Sequence, residues 1–312
     1  MPRKKVAPKT DATTIRIENE HPDIERVPTG LYSLDRALGG GLPLRTILEI
    51  SGYEYSGKST LAYYLCGCVN KAGMIGIADF EGLDTDYIVR AVGASGFHGT
   101  VRLVPLVNKK NKPAASEEML DIAADYLNDG ASALLVDSIG AIYPVSEEEG
   151  NVGEGRVGRR AQIVAPFLRK CVFRLRWSET PAVVCITNHV HEIIGGRGTI
   201  TAGGKAVAYL SQTRLRVGAE KKENRWLING RIAKLRFRGA SDTEQFQAVV
   251  VPGEGVHIGL SAVADCIALG RASEERTVSL GGKSYGYMSK IVENRNDPEL
   301  FEPFHKALGE LQ

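Results

Sequence analysis

The sequence predicts an α/β protein: a mainly parallel sheet flanked by helices, preceded by an N-terminal arm and followed by a small C-terminal α/β domain. Three observations predict it. From Val27 onward, strand-like and helix-like segments alternate, the pattern of linked βαβ units. One of these junctions carries Gly52-Tyr53-Glu54-Tyr55-Ser56-Gly57-Lys58-Ser59, a full match to G-x-x-x-x-G-K-[ST]. After Gly253-Glu254-Gly255 the texture changes to short helices around a glycine-rich hairpin region.

In chain order, residues 1–27 are basic and then polar, with Pro2, Pro8 and Pro22, and only Thr13–Ile17 alternates like a strand. That composition suits an oligomerisation arm. A core over residues 28–259 follows, with strands expected at 45–50, 74–79, 101–105, 132–137 and 182–187. An antiparallel group is expected near 212–217, 231–237 and 246–251. Helical spacing fits 59–71, 84–92, 116–128 and 157–176. Residues 260–312 form the small last domain: a helix from Ser261 to Leu269, a hairpin region from Val278 to Tyr287 and a helix near 298–311.

A chain of 312 residues can bury one large core with an appendage. Formal net charge is only +2, so any nucleic-acid contact must come from local basic loops. No apolar run reaches membrane-spanning length, and Met1 to Lys9 lacks the apolar stretch of a signal peptide, so the expected location is cytoplasmic, with no membrane partner. Cys66, Cys68, Cys171, Cys185 and Cys266 lie scattered in apolar segments and read as reduced core residues. His189-Val190-His191 lacks further ligand spacing, so no metal beyond Mg²⁺ is expected.

The chemistry starts at the glycine-rich loop. Thr46–Ile50 reads as a buried parallel strand and Thr60–Cys68 as a buried helix, which is the context the motif needs. Glycines let backbone N–H groups close around phosphate oxygens at a helix N-terminus, with Lys58 reaching the β- and γ-phosphates and Ser59 suited to Mg²⁺. Residues 52–60 are therefore the expected ATP cradle. Strand 132–137 ends in Asp137, an acid placed to hold Mg²⁺ beside the cradle. Strand 74–79 ends Asp79-Phe80-Glu81; in extended chain both acids share a face, and a carboxylate there can activate a water. Tyr87 suits either stacking on adenine or packing of its own helix.

These residues carry a family resemblance. Val27-Pro28-Thr29-Gly30, Ser33 to Pro43, the phosphate loop, Asp79-Phe80-Glu81, Val136-Asp137-Ser138 and Ile186-Thr187-Asn188-His189 fall in the order and spacing of RecA. Over about residues 27–312 the chain resembles the RecA-type strand-exchange recombinases, which implies an ATP-dependent protein that forms helical filaments on single-stranded DNA and pairs it with duplex DNA. The resemblance implies Glu81 as the base, Asp137 as the Mg²⁺-side acid, and Asp84 with Tyr87 as adenine and ribose contacts. It also implies that Asn188-His189 stands where the family has an Asn-Gln pair sensing the γ-phosphate. His189 is a departure, similar to phage recombinases of the UvsX kind, and an imidazole can make that signal pH-dependent. No acidic tail follows Leu311-Gln312, unlike the cellular members. Arg236 and Arg238, which on their own read as a solvated strand face, fall where the family has two lysines that reach a neighbour's ATP, implying arginine fingers in trans.

Two segments are expected to bind DNA. The first, 147–160, is glycine-rich and carries Arg156, Val157, Gly158, Arg159 and Arg160, with Val157 the wedge between bases by resemblance. The second, Val190 to Lys205, contains Ile193, Ile194, Arg197, Gly203, Gly204 and Lys205. Glycines that approach phosphates, cations that neutralise them and apolar residues that insert between bases suit single-stranded DNA. Two rivals are a ring-forming RecA-like motor, separable by rings in electron micrographs, and a non-hydrolysing mediator paralogue, separable by an ATPase assay. Retention of Lys58, Ser59, Glu81 and Asp137 speaks against the second.

Overall fold

The computed structural model describes residues 24–108, 110–145, 158–192, 198–237, 244–275 and 277–309. Within them a central sheet of ten strands forms the frame. Its parallel part runs, in spatial order, β3 (Thr46–Gly52), β7 (Val183–Glu192), β6 (Ala133–Asp137), β4 (Met74–Asp79) and β5 (Thr100–Leu103). On the other side of β3 the sheet continues through β9 (Thr213–Lys222), parallel to β3, and then antiparallel through β10 (Arg225–Leu235), β11 (Gln245–Val251) and β12 (Gly255–Val256). A two-residue pair, β1 (Arg26–Val27) with β2 (Leu42–Pro43), brackets α1 (Tyr32–Leu38).

The inner strands are mostly apolar, as strands covered on both faces tend to be, with Glu49, Asp137 and Asn188 among the buried polar exceptions. β3 and β6 are buried at every position. One face is covered by α2 (Lys58–Val69), almost wholly buried, and by α3 (Thr85–Gly93). The other packs α4 (Ser116–Asn128), α5 (Arg159–Trp177) and α6 (Gly204–Leu210), with Leu134, Val136, Val184, Ile186 and Val207 in that core. A third cluster joins Val249 and Val251 of β11 to α7 (Ile258–Ala268), a small antiparallel sheet of β13 (Ala272–Glu274), β14 (Val278–Leu280) and β15 (Lys283–Gly286), and two helices, α8 (Met288–Glu293) and α9 (Glu302–Gly309).

Several expectations need correction. The antiparallel strands are longer and earlier than the apolar pattern indicated, because β9 and β10 extend into a polar hairpin turning at 223–224. Part of the supposed loop from Val190 is strand: β7 runs on to Glu192 and pairs with β8 (Thr199–Thr201). The helix expected over 298–311 begins as a short 3₁₀ turn at Pro298–Leu300 before α9. All five cysteines are buried thiols. Among the described residues, no helix is long and apolar enough to cross a membrane.

Candidate functional site

The parallel strands deliver their chemistry at their carboxyl ends, where open α/β sheets place ligand sites. β3 leads into the glycine-rich loop, and its last residue, Gly52, pairs with His189 on β7. β6 ends at Asp137, in register with Asp79 on β4. The four strand ends thus bring Lys58, His189, Asp137 and Glu81 to one edge of the sheet.

The loop is a cradle that only glycine can form. A Cβ on Gly52 would lie 2.4 Å from both the Ser56 Oγ and the Val217 carbonyl oxygen. Gly57 has φ +77° and caps α2, and a Cβ there would meet Ile228 Cδ1 at 2.6 Å. Ser56 Oγ donates to the Tyr53 carbonyl at 2.7 Å, closing the turn. Lys58, nearly buried, donates from Nζ to the same carbonyl at 2.7 Å and reaches Ser56 Oγ at 3.5 Å. Burial pulls the Lys58 ammonium down from its ordinary value, with Glu81, Asp137 and Glu54 opposing. A glycine-dependent turn at a helix start, with a buried cation folded over it, has the features that suit phosphate oxygens.

A cavity of about 670 Å³ opens beside the cradle. Its polar side is Glu54 to Thr60 with Glu81 and His189; its apolar side includes Leu83, Tyr87, Ala219, Trp226, Ile228, Val250 and Pro252. Glu81 Oε1 sits 3.0 Å from His189 Nε2. Burial pushes the Glu81 carboxyl up, but the Ser138 hydroxyl, His189 and Lys58 outweigh it and hold the group below the usual carboxylate range. An ionised Glu81 accepts, so the imidazole Nε2 donates.

Asp79 and Glu81 do not act as a pair on one face. Asp79 turns back on its own loop, accepting from the Glu81 and Gly82 backbones at 2.9 and 3.0 Å and from Leu83 N at 2.7 Å, and so holds Glu81 at the cavity rim. Asp137 is fully buried; Oδ1 accepts from Thr187 Oγ1, while Oδ2 has no hydrogen-bond partner. Burial pushes its carboxyl up, with the Thr187 and Ser59 hydroxyls opposing. A buried carboxylate oxygen left unmatched beside a serine hydroxyl is costly unless a cation completes it. The donor set is hard oxygen, which suits Mg²⁺. Among the described residues no cluster of His, Cys, Asp and Glu offers a metal site of its own.

Tyr87 lines the cavity with its hydroxyl bonded to Thr60 Oγ1. Asp84 does not line it; its carboxylate caps α3, accepting from Asp86 N at 3.0 Å. Arg236 is exposed beyond β10 and lies outside the cavity of its own chain. Arg156, Val157, Ile193, Ile194, Arg197 and Arg238 lie outside the described residues. Gly158 caps α5 with φ +93°, Arg159 follows in the first turn, and Arg160 Nε donates to the Ile142 carbonyl at 2.9 Å, so part of that guanidinium is already engaged. Gly203 is explained by packing: a Cβ would strike Val207 at 2.7 Å and Ile139 at 2.8 Å. Gly204 and exposed Lys205 open α6.

Two further features escaped the sequence: the brace that Asn188, set beside the γ-phosphate by resemblance, makes with Glu49 and Arg214, and an apolar cavity wall. Asn188 donates to Glu49 Oε1 at 3.0 Å and exchanges bonds of 2.9 and 3.1 Å with the Ala202 backbone, tying β3 to the far arm of the β7–β8 hairpin, while Arg214 pairs with Glu49. The apolar wall from β9, β10 and β11 was invisible because it rests on antiparallel pairing, not on a motif.

A model of the RecA N-terminal domain family matches residues 9–239 of the chain. RecA of Aquifex pyrophilus is 31% identical over 311 residues, spanning 93% of this chain and 84% of its own. RecA of Aquifex aeolicus is 32% identical over 307 residues, spanning 93% and 85%. RecA of Kineococcus radiotolerans is 37% identical over 215 residues, spanning 66% and 58%.

Proposed function

The chain belongs to the RecA family and is a RecA-type recombination protein; on that footing we propose that it binds and hydrolyses ATP, polymerises on single-stranded DNA and exchanges strands with a homologous duplex. The observation that carries the proposal is the meeting of Lys58, Glu81 and His189 around one cavity, with His189 on the strand that runs on into the hairpin braced by Asn188. On this reading, residues 28–259 are the ATPase and DNA-binding core, 1–27 the oligomerisation arm, and 260–312 a small second domain.

Lys58 exchanges its loop carbonyl for phosphate oxygens when ATP enters, so its buried charge is spent on the ligand. Glu81, held ionised, orients a water through one carboxylate oxygen while His189 fixes the other. As the water oxygen attacks the γ-phosphorus, its proton passes to Glu81 and the bond to ADP breaks. Ser59 and Asp137 are the residues that would hold Mg²⁺, which when bound neutralises charge on the phosphates. Loss of the γ-phosphate is felt at His189, whose strand continues into the hairpin. Gly158, Arg159, Gly203, Gly204 and Lys205, with Arg156, Arg160, Val157, Ile193, Ile194 and Arg197, make the DNA contacts.

Polymerisation follows because Arg236 and Arg238 serve the neighbour's ATP. The arm supplies the contact between copies, either as a strand from Thr13–Ile17 added to a free sheet edge such as β5, which has no strand on its outer side among the described residues, or as a short helix. The setting is cytoplasmic. A strand-exchange assay tests the function: circular single-stranded DNA and homologous linear duplex should yield joint molecules with ATP, and micrographs should show helical filaments. Closed rings and no joint molecules would assign the chain to a motor instead.

A further inference from the structure

The apolar end of the nucleotide cavity contains two aromatic side chains from opposite directions. Tyr87 comes from α3. Trp226 comes from β10, set by register opposite Val250 on β11 and Lys221 on β9. Alternation along the strand places Trp226 on the same face as Ile228, which meets Gly57 of the cradle, so this face looks toward the phosphate loop. Trp226 is half-buried, its lower part packed on the main core. Its indole N–H donates to nothing among the described residues, and Lys221 Nζ stands 6.0 Å from the ring centroid.

Phosphates need none of this. The cradle, Lys58 and Glu81 use the polar half of the cavity, and a half-solvated indole beside Val250 and Pro252 is apolar surface in want of a flat apolar cover. The tyrosine hydroxyl is already committed to Thr60, whereas the Trp226 indole N–H has no partner among the described residues and its ring is crossed only by the Lys221 ammonium, 6.0 Å from the centroid. We propose that Trp226 is a base-specificity residue: its indole packs against a purine base bound between β10 and α3, and it favours purine over pyrimidine because two fused rings cover the indole better than one. This rests on the nucleotide reading above and adds to it a residue that no motif marks.

The chain has two tryptophans, which makes the idea directly measurable. Trp177, 72% exposed near the end of α5, lies outside this cavity, so Trp177→Phe leaves Trp226 as the only indole. Indole emission of that variant is titrated with ADP, CDP and tripolyphosphate, with calorimetry on the same samples. ADP should change the emission with a midpoint equal to its calorimetric Kd, tripolyphosphate should bind with no such change, and CDP should bind more weakly than ADP. Trp226→Leu keeps the core contact but should weaken ADP about 5- to 100-fold while sparing tripolyphosphate, and Trp226→Tyr should recover much of the loss. ADP binding with silent emission overturns the inference, as does equal weakening of ADP and tripolyphosphate in Trp226→Leu. If neither ADP nor tripolyphosphate binds the parent chain, the nucleotide reading falls and takes this with it.

Discussion

Lys58 and Glu81 stand at one cavity but are expected to fail differently. Lys58 is a buried cation matched to phosphate, so Lys58→Ala should abolish ATP binding itself. Glu81→Gln keeps the size and one hydrogen bond to His189 but cannot take a proton, so ATP should bind near normally and hydrolysis should drop by at least about 100-fold. Equilibrium binding beside single-turnover hydrolysis separates the two; near wild-type turnover in Glu81→Gln removes it from the base role. The depressed Glu81 carboxyl carries a pH consequence. A base with a lowered pKa stays active into acid, so loss of hydrolysis through Glu81 should begin below the ordinary carboxylate range. His189→Ala removes one cause of that depression and should move the acid limb to higher pH, while His189→Gln should keep ATP-to-DNA coupling and flatten its dependence on pH. Superimposable coupling profiles of wild type and His189→Gln would discard the imidazole as a pH-dependent sensor.

At the scale of elements, Asp265 on α7 shows how the last segment is fastened to the core. It is buried, accepts from Ser33 N of α1 at 3.1 Å, and burial pushes its carboxyl up to about 6, the Ser33 bonds only partly opposing. The folded chain therefore holds this proton more tightly than the unfolded chain does. Stability contributed by Asp265 is least above about pH 6 and is recovered as pH falls toward 3.8, by a total on the order of 3 kcal/mol. Asp265→Asn should raise the melting temperature at neutral pH and erase that part of the pH dependence; denaturation of both forms from pH 4.5 to 8 checks it. The elements were unequally legible. Gly52–Ser59 could be read because phosphate binding demands glycines and a lysine at fixed places. β3, β4 and β6 could be read because strands covered on both faces tend to be apolar. The β9–β10 hairpin could not: Lys221, Lys222 and Glu223 look like loop, and only pairing with β11 makes Trp226 and Ile228 a cavity wall. The role of Asp79 was hidden for a similar reason, since its partners are backbone N–H groups of the turn it closes.

Across the whole molecule, the site is incomplete within one chain on the proposed reading. The cavity holds cradle, base and sensor, while Arg236 is exposed and lies beyond the lining. A mixture of Lys58→Ala chains with Arg236→Ala/Arg238→Ala chains should regain part of the DNA-stimulated hydrolysis that each lacks alone, because a mixed interface can join one intact cradle to one intact pair of arginines. No recovery at any ratio, in samples where the two variants co-assemble, removes the trans assignment. The central claim is that nucleotide chemistry at the strand ends is coupled through β7 to DNA at the hairpin beyond it. The rate of ATP hydrolysis, measured with and without single-stranded DNA on wild type and Lys58→Ala, tests this most directly. The account predicts slow hydrolysis by wild type alone, marked stimulation by DNA, and no hydrolysis by Lys58→Ala under either condition; a wild-type rate that DNA leaves unchanged, or one that survives loss of Lys58, would contradict it.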